Sequence, residues 1–200
     1  MNLIRIVLIA STLALVGCAS TPMKEASTQT IQKVRAEESQ VVFMRSSFVG
    51  SAISASLYDV SKGNPEFIGI IDNGTKIAYT TAPGKRVFMV VSEAADFLEA
   101  DLAAGKTYYS LVTPRMGMWK ARFSLWPIRN EGTSEYNTAS DSFNGWLTGT
   151  KLVENSPETL AWNTANIDSV KSKYAEYWPV WKEKSAEDLA ARTLKPTDGK

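Results

Sequence analysis

Histidine is absent from the 200 residues, and cysteine occurs once, at Cys18. Without imidazole there is no Ser-His-Asp or Cys-His nucleophile, no histidine base and no histidine metal site. One thiol forms no internal disulfide, so stability has to come from packing. Basic runs are missing too, and the 22 Lys and Arg nearly balance 21 Asp and Glu. Nucleic acid, which is held by phosphate neutralisation, is therefore not an expected partner. No apolar stretch comfortably reaches the about 20 residues of a membrane-spanning helix. The most apolar one, within residues 1–17, is interrupted by Ser11 and Thr12.

What is present begins with the layout of a secretory signal over residues 1–17. Arg5 gives a positive start, Ile6-Val7-Leu8-Ile9 and Leu13-Ala14-Leu15-Val16 give an apolar centre, and Gly17 is the small residue at the cut. The run Leu15-Val16-Gly17-Cys18 resembles the lipobox of bacterial lipoproteins. That resemblance implies cleavage before Cys18, a diacylglyceryl group on its thiol and a membrane partner through the lipid. One acyl chain binds marginally, at about 0.8 kcal/mol per buried CH₂, whereas the two or three chains of such lipoproteins hold durably. Ala19 follows the cysteine where aspartate is the retention signal in Gram-negative bacteria, which implies the outer membrane, facing the periplasm. The alternative is an ordinary signal peptide with a chance cysteine. Cleavage removes Arg5 and no acid, leaving 21 residues of each sign.

Residues 18–39 are polar and read as a flexible tether with helical tendency near 33–38. From residue 40 to 129, short alternating runs are broken by Gly, Pro and Asn, which is the pattern of a sandwich or barrel. Candidate strands cover 40–45, 53–60, 66–71, 75–81, 86–91, 96–102, 107–113 and 118–128. Asn73-Gly74, Pro83-Gly84 and Ala104-Gly105 supply turns needing positive φ. Residues 130–155 hold few apolar side chains and read as a loop. Residues 156–200 turn helical. Ser156-Pro157-Glu158 reads as a cap and first turn, Asp168 as the cap of a longer helix, and Pro179 as its kink or end. Ser185 opens a last helix, and 195–200 is expected to fray. Ile167, Val170, Tyr174, Trp178 and Trp181 form a stripe expected to dock on the same chain's sheet. The expected fold is mainly β, an antiparallel β-sandwich of about 7–8 strands with a C-terminal α-helical extension.

Arg45-Ser46-Ser47-Phe48-Val49-Gly50-Ser51, Asn73-Gly74, Pro83-Gly84-Lys85 and Ala104-Gly105-Lys106-Thr107-Tyr108-Tyr109 are the most distinctive stretches. Through them residues 41–113 resemble an uncharacterised family of bacterial lipoproteins filed as a domain of unknown function (the 2846 family). The Pro-Gly-Lys and Ala-Gly-Lys turns are also similar to those of PEGA sandwich domains. The resemblance implies a β-sandwich lipoprotein and brings no catalytic residues with it. Ser46 stands where members often carry proline, and the turn at 61–65 is longer.

Gly105-Lys106-Thr107 looks like the end of a phosphate loop, but Ala100 replaces the earlier glycine and strand follows instead of helix. It reads as a hairpin turn. Glu93, Asp96, Glu99 and Asp101 form the densest acid cluster. Glu99 and Asp101 on a strand lie roughly 6.6 Å apart, near an inverting glycosidase pair at about 6.5–9.5 Å. Leu98, Ala100 and Leu102 opposite them place these acids on a solvated face instead. Arg45 and Phe48 belong either to a binding lip or to a structural bend, with Gly50 turning the chain. Trp119 alternates with core residues and reads as buried. Trp126, Trp146 and Trp178 are surface candidates for stacking on a sugar or a partner protein. The reading is a lipid-anchored, non-catalytic binding or assembly module of the envelope, with no cofactor and an envelope protein or peptidoglycan as partner. The alternatives are a saccharide binder using exposed aromatics and a carboxylate-based envelope hydrolase. Coplanar indoles in a shallow groove favour the first, two carboxylates facing across a deep pocket the second.

Overall fold

The two-residue alternation from Ser39 onward builds strands, because side chains on a strand point alternately to opposite faces. The computed structural model describes residues 23–47, 49–115 and 122–200. The strands are β1 (Lys24–Glu25), β2 (Ser39–Arg45), β3 (Ala55–Asp59), β4 (Glu66–Ile71), β5 (Thr75–Thr81), β6 (Gly84–Val91), β7 (Ala95–Leu102), β8 (Lys106–Arg115), β9 (Arg122–Ile128), β10 (Lys151–Glu154) and β11 (Thr193–Leu194). Among the described residues the helices are α1 (Asp141–Gly149), α2 (Pro157–Lys182) and α3 (Ala186–Ala191), with a 3-10 turn at Pro196–Asp198. The protein is mainly β, with two mixed sheets and a C-terminal helix.

One sheet runs β1-β10-β5-β2-β8-β9 and the other β11-β7-β6-β3-β4. The pairs β2–β8, β5–β10 and β7–β11 are parallel, which corrects the all-antiparallel expectation. Parallel partners are distant in sequence, and no hairpin turn announces them. The three short strands β1, β10 and β11 add to the expected count; they hold too few residues to show a period.

Val41 and Phe43 of β2 face Leu57, Phe88, Val90 and Leu98 of the other sheet in one shared core. Val42 and Met44 turn the opposite way, toward Phe143 of α1. All seven residues of β2 are consequently buried. On the second sheet's outer face, Tyr58, Met89, Val91 and Phe97 meet Val170 and Trp181 of α2. Phe97 contacts the rings of Tyr174, Trp178 and Trp181 at 6.2, 5.1 and 5.6 Å between centroids. Each such pair contributes about 0.5–1.5 kcal/mol beyond its buried area. The aromatic stripe therefore docks intramolecularly, as its spacing implies.

Residues 130–155 are not a loop. Ser140 caps α1 by accepting from the Phe143 amide at 3.1 Å, and Phe143, Trp146 and Leu147 fall on one helical face. At the other end the buried Lys76 ammonium donates to the Leu147 carbonyl at 2.9 Å and to that of Thr150. A cation there opposes the helix dipole, and α1 has no basic residue of its own in its last turn. The tether is also shorter than expected. From Met23 on the chain is tied to the body, for Met23 reaches the shared core, Val34 is buried and Ile31 packs beside α1. The Gln29 side chain brackets Leu152, accepting from its N–H at 2.7 Å and donating to its carbonyl at 3.2 Å. Around 33–38 the chain makes a turn closed by the Glu38 N–H on the Arg35 carbonyl, not a helix.

Ser156 and Thr159 form a reciprocal cap at the start of α2, which runs unbroken past Asp168 and Pro179 to Lys182. Pro179 lies in the final turn, where its missing N–H forfeits little of the helix that remains. The C-terminus does not fray. Lys200 exchanges two backbone hydrogen bonds with Thr107 of β8, at 2.9 and 3.0 Å. Buried Asp198 pairs with buried Arg129 at 2.8 Å. Arg129 also donates to the carbonyls of Ala190, Ala191 and Thr193, collecting the end of α3. The polar composition of 195–200 concealed this anchorage, because each polar group finds its partner inside the protein.

Two predictions test these features. Gly84 and Gly105 adopt φ of +99° and +73°, where a β-branched side chain is strained. Valine at either position is expected to lower unfolding free energy by about 1–3 kcal/mol in denaturant titration. Unchanged midpoints would remove the turn argument. Arg129→Gln leaves Asp198 buried without its cation, and a loss of about 3–5 kcal/mol is expected in the same assay. A loss below about 1 kcal/mol would mean that the C-terminal segment is held by other contacts.

Candidate functional site

Cys18, Phe48 and Trp119 lie outside the described residues. Arg45 does not form a binding lip, and that expectation is corrected by its burial. Its guanidinium lies 4.2 Å from the Phe123 ring centroid and donates to the carbonyls of Ile71 at 3.0 Å and Gly50 at 2.6 Å. Desolvation pulls its pKa down to about 10, with Asp72 opposing the fall. The residue closes the loop after β2 from within, and Gly50 at φ +68° provides the bend. The Ser47 hydroxyl meanwhile donates to the Val49 carbonyl at 3.3 Å.

Trp178 is also not a free surface indole. It packs on Phe97 and stacks on Tyr174 at 6.0 Å and 20°. Trp146 is half-buried in the layer between α1 and the first sheet. Trp126 is half-buried and lines a cavity. Its indole N–H donates to the Thr113 hydroxyl at 3.0 Å, and the Arg192 guanidinium covers its ring at 4.3 Å.

Beside Trp126, β9, the 131–136 segment and α3 enclose a cavity of about 410 Å³, in the range of ligand-sized clefts. Trp126 and Tyr136 form its aromatic wall, 5.9 Å apart and tilted by 48°. Tyr136 continues to Trp146 at 5.9 Å and 59°. Burial first, and Glu135 second, raise the Tyr136 hydroxyl pKa. Glu131, Glu135 and Glu187 stand on the exposed rim with Lys195. Arg129 also lines the cavity, but its charge is taken by Asp198. The rim is therefore acidic around an apolar wall.

Arg192 holds the seam between the two sheets. It pairs with buried Asp96 and donates to the carbonyls of Leu125 at 2.8 Å and Phe97 at 3.2 Å. It also lies 5.3 Å from the Trp181 ring centroid. The acid cluster is split by this packing. Leu98, Ala100 and Leu102 do face the shared core, but α2 covers the opposite face, where Trp181 donates to Glu99 at 3.1 Å. Gly105-Lys106-Thr107 leads directly into β8, but the turn carries the chain from β7 in one sheet to β8 in the other, which corrects the hairpin expectation: it is a crossing between sheets. Among the described residues, no three or more His, Cys, Asp or Glu side chains are placed to hold a metal ion, and no helix is long and apolar enough to cross a membrane.

Sequence reasoning identified Trp126 and missed Tyr136, Arg192 and the rim carboxylates. Tyr136 was visible only as an aromatic in a polar stretch, and Arg192 carried no signal, since its partners come from β7 and β9. Compared with protein-family models and with curated proteins, the chain matches neither a family nor a relative.

Proposed function

We propose that the chain is a lipid-anchored lipoprotein of the bacterial envelope, attached through Cys18 at the outer membrane and facing the periplasm. Its body is read as a β-sandwich of the kind implied by the resemblance to the 2846 family, and its role as non-catalytic binding of a partner protein. The observation that carries this reading is the open cavity with Trp126 and Tyr136 on its wall and carboxylates on its rim. Half-exposed aromatics beside apolar surface are the side chains that dominate partner binding, and the acidic rim favours a segment bearing Lys or Arg. The 48° tilt between Trp126 and Tyr136 does not supply the coplanar pair of rings that would favour a sugar.

Placement supports the same reading. Met23 is already docked at the β1–β10 side of the body, so five residue steps separate it from Cys18, at most roughly 17 Å of extended chain. In that sheet the cavity-bearing β9 is the opposite edge, five strand spacings from β1, or about 24 Å at ~4.8 Å each. The cavity thus lies at the edge of the sheet opposite the strand that follows Met23.

Two outcomes test the proposal. Cys18→Ser is expected to release the protein to the soluble periplasmic fraction or to leave an uncut precursor. A processed variant that still partitions with membranes excludes the anchor. For the cavity, a photo-crosslinking residue at exposed Glu135 is expected to trap a discrete protein in intact cells, and Trp126→Ala to reduce the adduct by about tenfold. Equal trapping in the alanine variant rejects the site, and cosedimentation with peptidoglycan that depends on Trp126 supports the saccharide reading instead.

A further inference from the structure

A second cavity, of about 170 Å³, opens on the other side of Arg192, beside the last pair of the β8–β9 ladder. Its charged lining is Arg115, Arg122, Lys184 and Asp96. The single carboxylate is already committed, for Asp96 is buried, pairs with Arg192 and lies 3.7 Å from Arg115. Among the described residues no carboxylate pairs with Arg122, which is exposed. Among the described residues of the lining, Arg115, Arg122 and Lys184 thus surround one acid that Arg192 neutralises.

A second, independent observation concerns the ladder. Arg115 and Arg122 are direct cross-strand partners in the β8–β9 register. Like charges facing each other across a sheet destabilise it, because their Cβ atoms stand about 4.5–5.5 Å apart. An anion between the two guanidinium groups converts that repulsion into two charge-assisted contacts. The rest of the wall is apolar and aromatic, including Tyr177, Val180 and Trp181. Val180 is 61% exposed, unusual for a large apolar residue at the mouth of a charged site. A volume below the ligand-sized range of about 300–1,000 Å³ accommodates one acidic group with a small apolar body.

We infer that this cavity binds the carboxylate of a small apolar acid, such as the free end of a peptide, between Arg115 and Arg122 with Lys184 at the rim. The planar fork of arginine matches a carboxylate, and Tyr177 and Val180 receive the adjoining apolar group. Choosing a soluble acid over a lipid headgroup rests on the anchor reading, since β9 lies at the far edge of its sheet from Met23.

The test uses the full mature chain in neutral detergent, titrated calorimetrically with N-acetyl-leucine, its uncharged amide, inorganic phosphate and phosphatidylglycerol vesicles. N-acetyl-leucine is expected to bind saturably, with the amide and phosphate each at least about tenfold weaker. Arg122→Gln is expected to weaken binding by about tenfold or more, while raising the melting temperature of the unliganded protein by about 1–3 °C as the repulsion is relieved. A residue with only a structural role does not combine lost binding with gained stability. Lys184→Gln provides a second variant remote from the ladder, expected to weaken binding without changing the fold. Equal binding of acid and amide, unchanged affinity in Arg122→Gln, or no saturable binding overturns the inference. Phosphate or vesicles binding more tightly than N-acetyl-leucine overturns the carboxylate assignment. The acid, amide and variant titrations are independent of Cys18 and of the Trp126 cavity, so their failure leaves the proposed function standing, and only the vesicle arm bears on the anchor reading.

Discussion

The requirement that both faces of both sheets be shielded from water organises this protein. Along β2, β3 and the second half of β6 the side chains on both faces are buried, so each sheet has an inner and an outer face shielded from water. The inner faces cover each other. The outer ones need helices, and α1 and α2 supply them. Phe97, directed toward α2, gathers three aromatic rings, and this contact makes the C-terminal third of the chain part of the core.

Closing the structure without disulfides falls in part to three buried arginines. Arg45 holds the loop after β2, Arg129 holds the C-terminal segment and Arg192 holds the seam between the sheets. Each spreads its charge over backbone carbonyls, and Arg129 and Arg192 also face buried carboxylates. A planar guanidinium suits this work because its donors fan out in one fixed plane. Burying such a group is costly unless nearly all its donors are met, so these sites define the loop and terminal positions closely.

The two cavities lie on either side of Arg192, along the edge where β9 approaches β7. Their chemistry differs in sign. One has an acidic rim on an aromatic wall, and the other a cationic wall with one neutralised acid. A sheet edge is where side chains from separate segments converge without a continuous ladder to fill the space. That geometry gives the chain two small cavities whose described charged linings differ in sign.

The strands β2 to β8 were legible within a few residues, because a period of two and glycine turns are local properties. Ser156 and Ser185 marked two helix starts for the same reason, and the spacing of Val170, Tyr174, Trp178 and Trp181 required a surface to cover. The composition alone also excluded histidine chemistry. Other features depended on partners distant in the chain. Arg45 and Arg129 look like any surface cation until the carbonyls around them are known, and Trp178 looks like a free indole until Phe97 stands against it. The parallel pairing of β2 with β8 and the convergence of Arg115, Arg122 and Lys184 were likewise settled by tertiary structure, because hydrophobic periodicity fixes which face of a segment is buried and carries no information about which distant segment buries it.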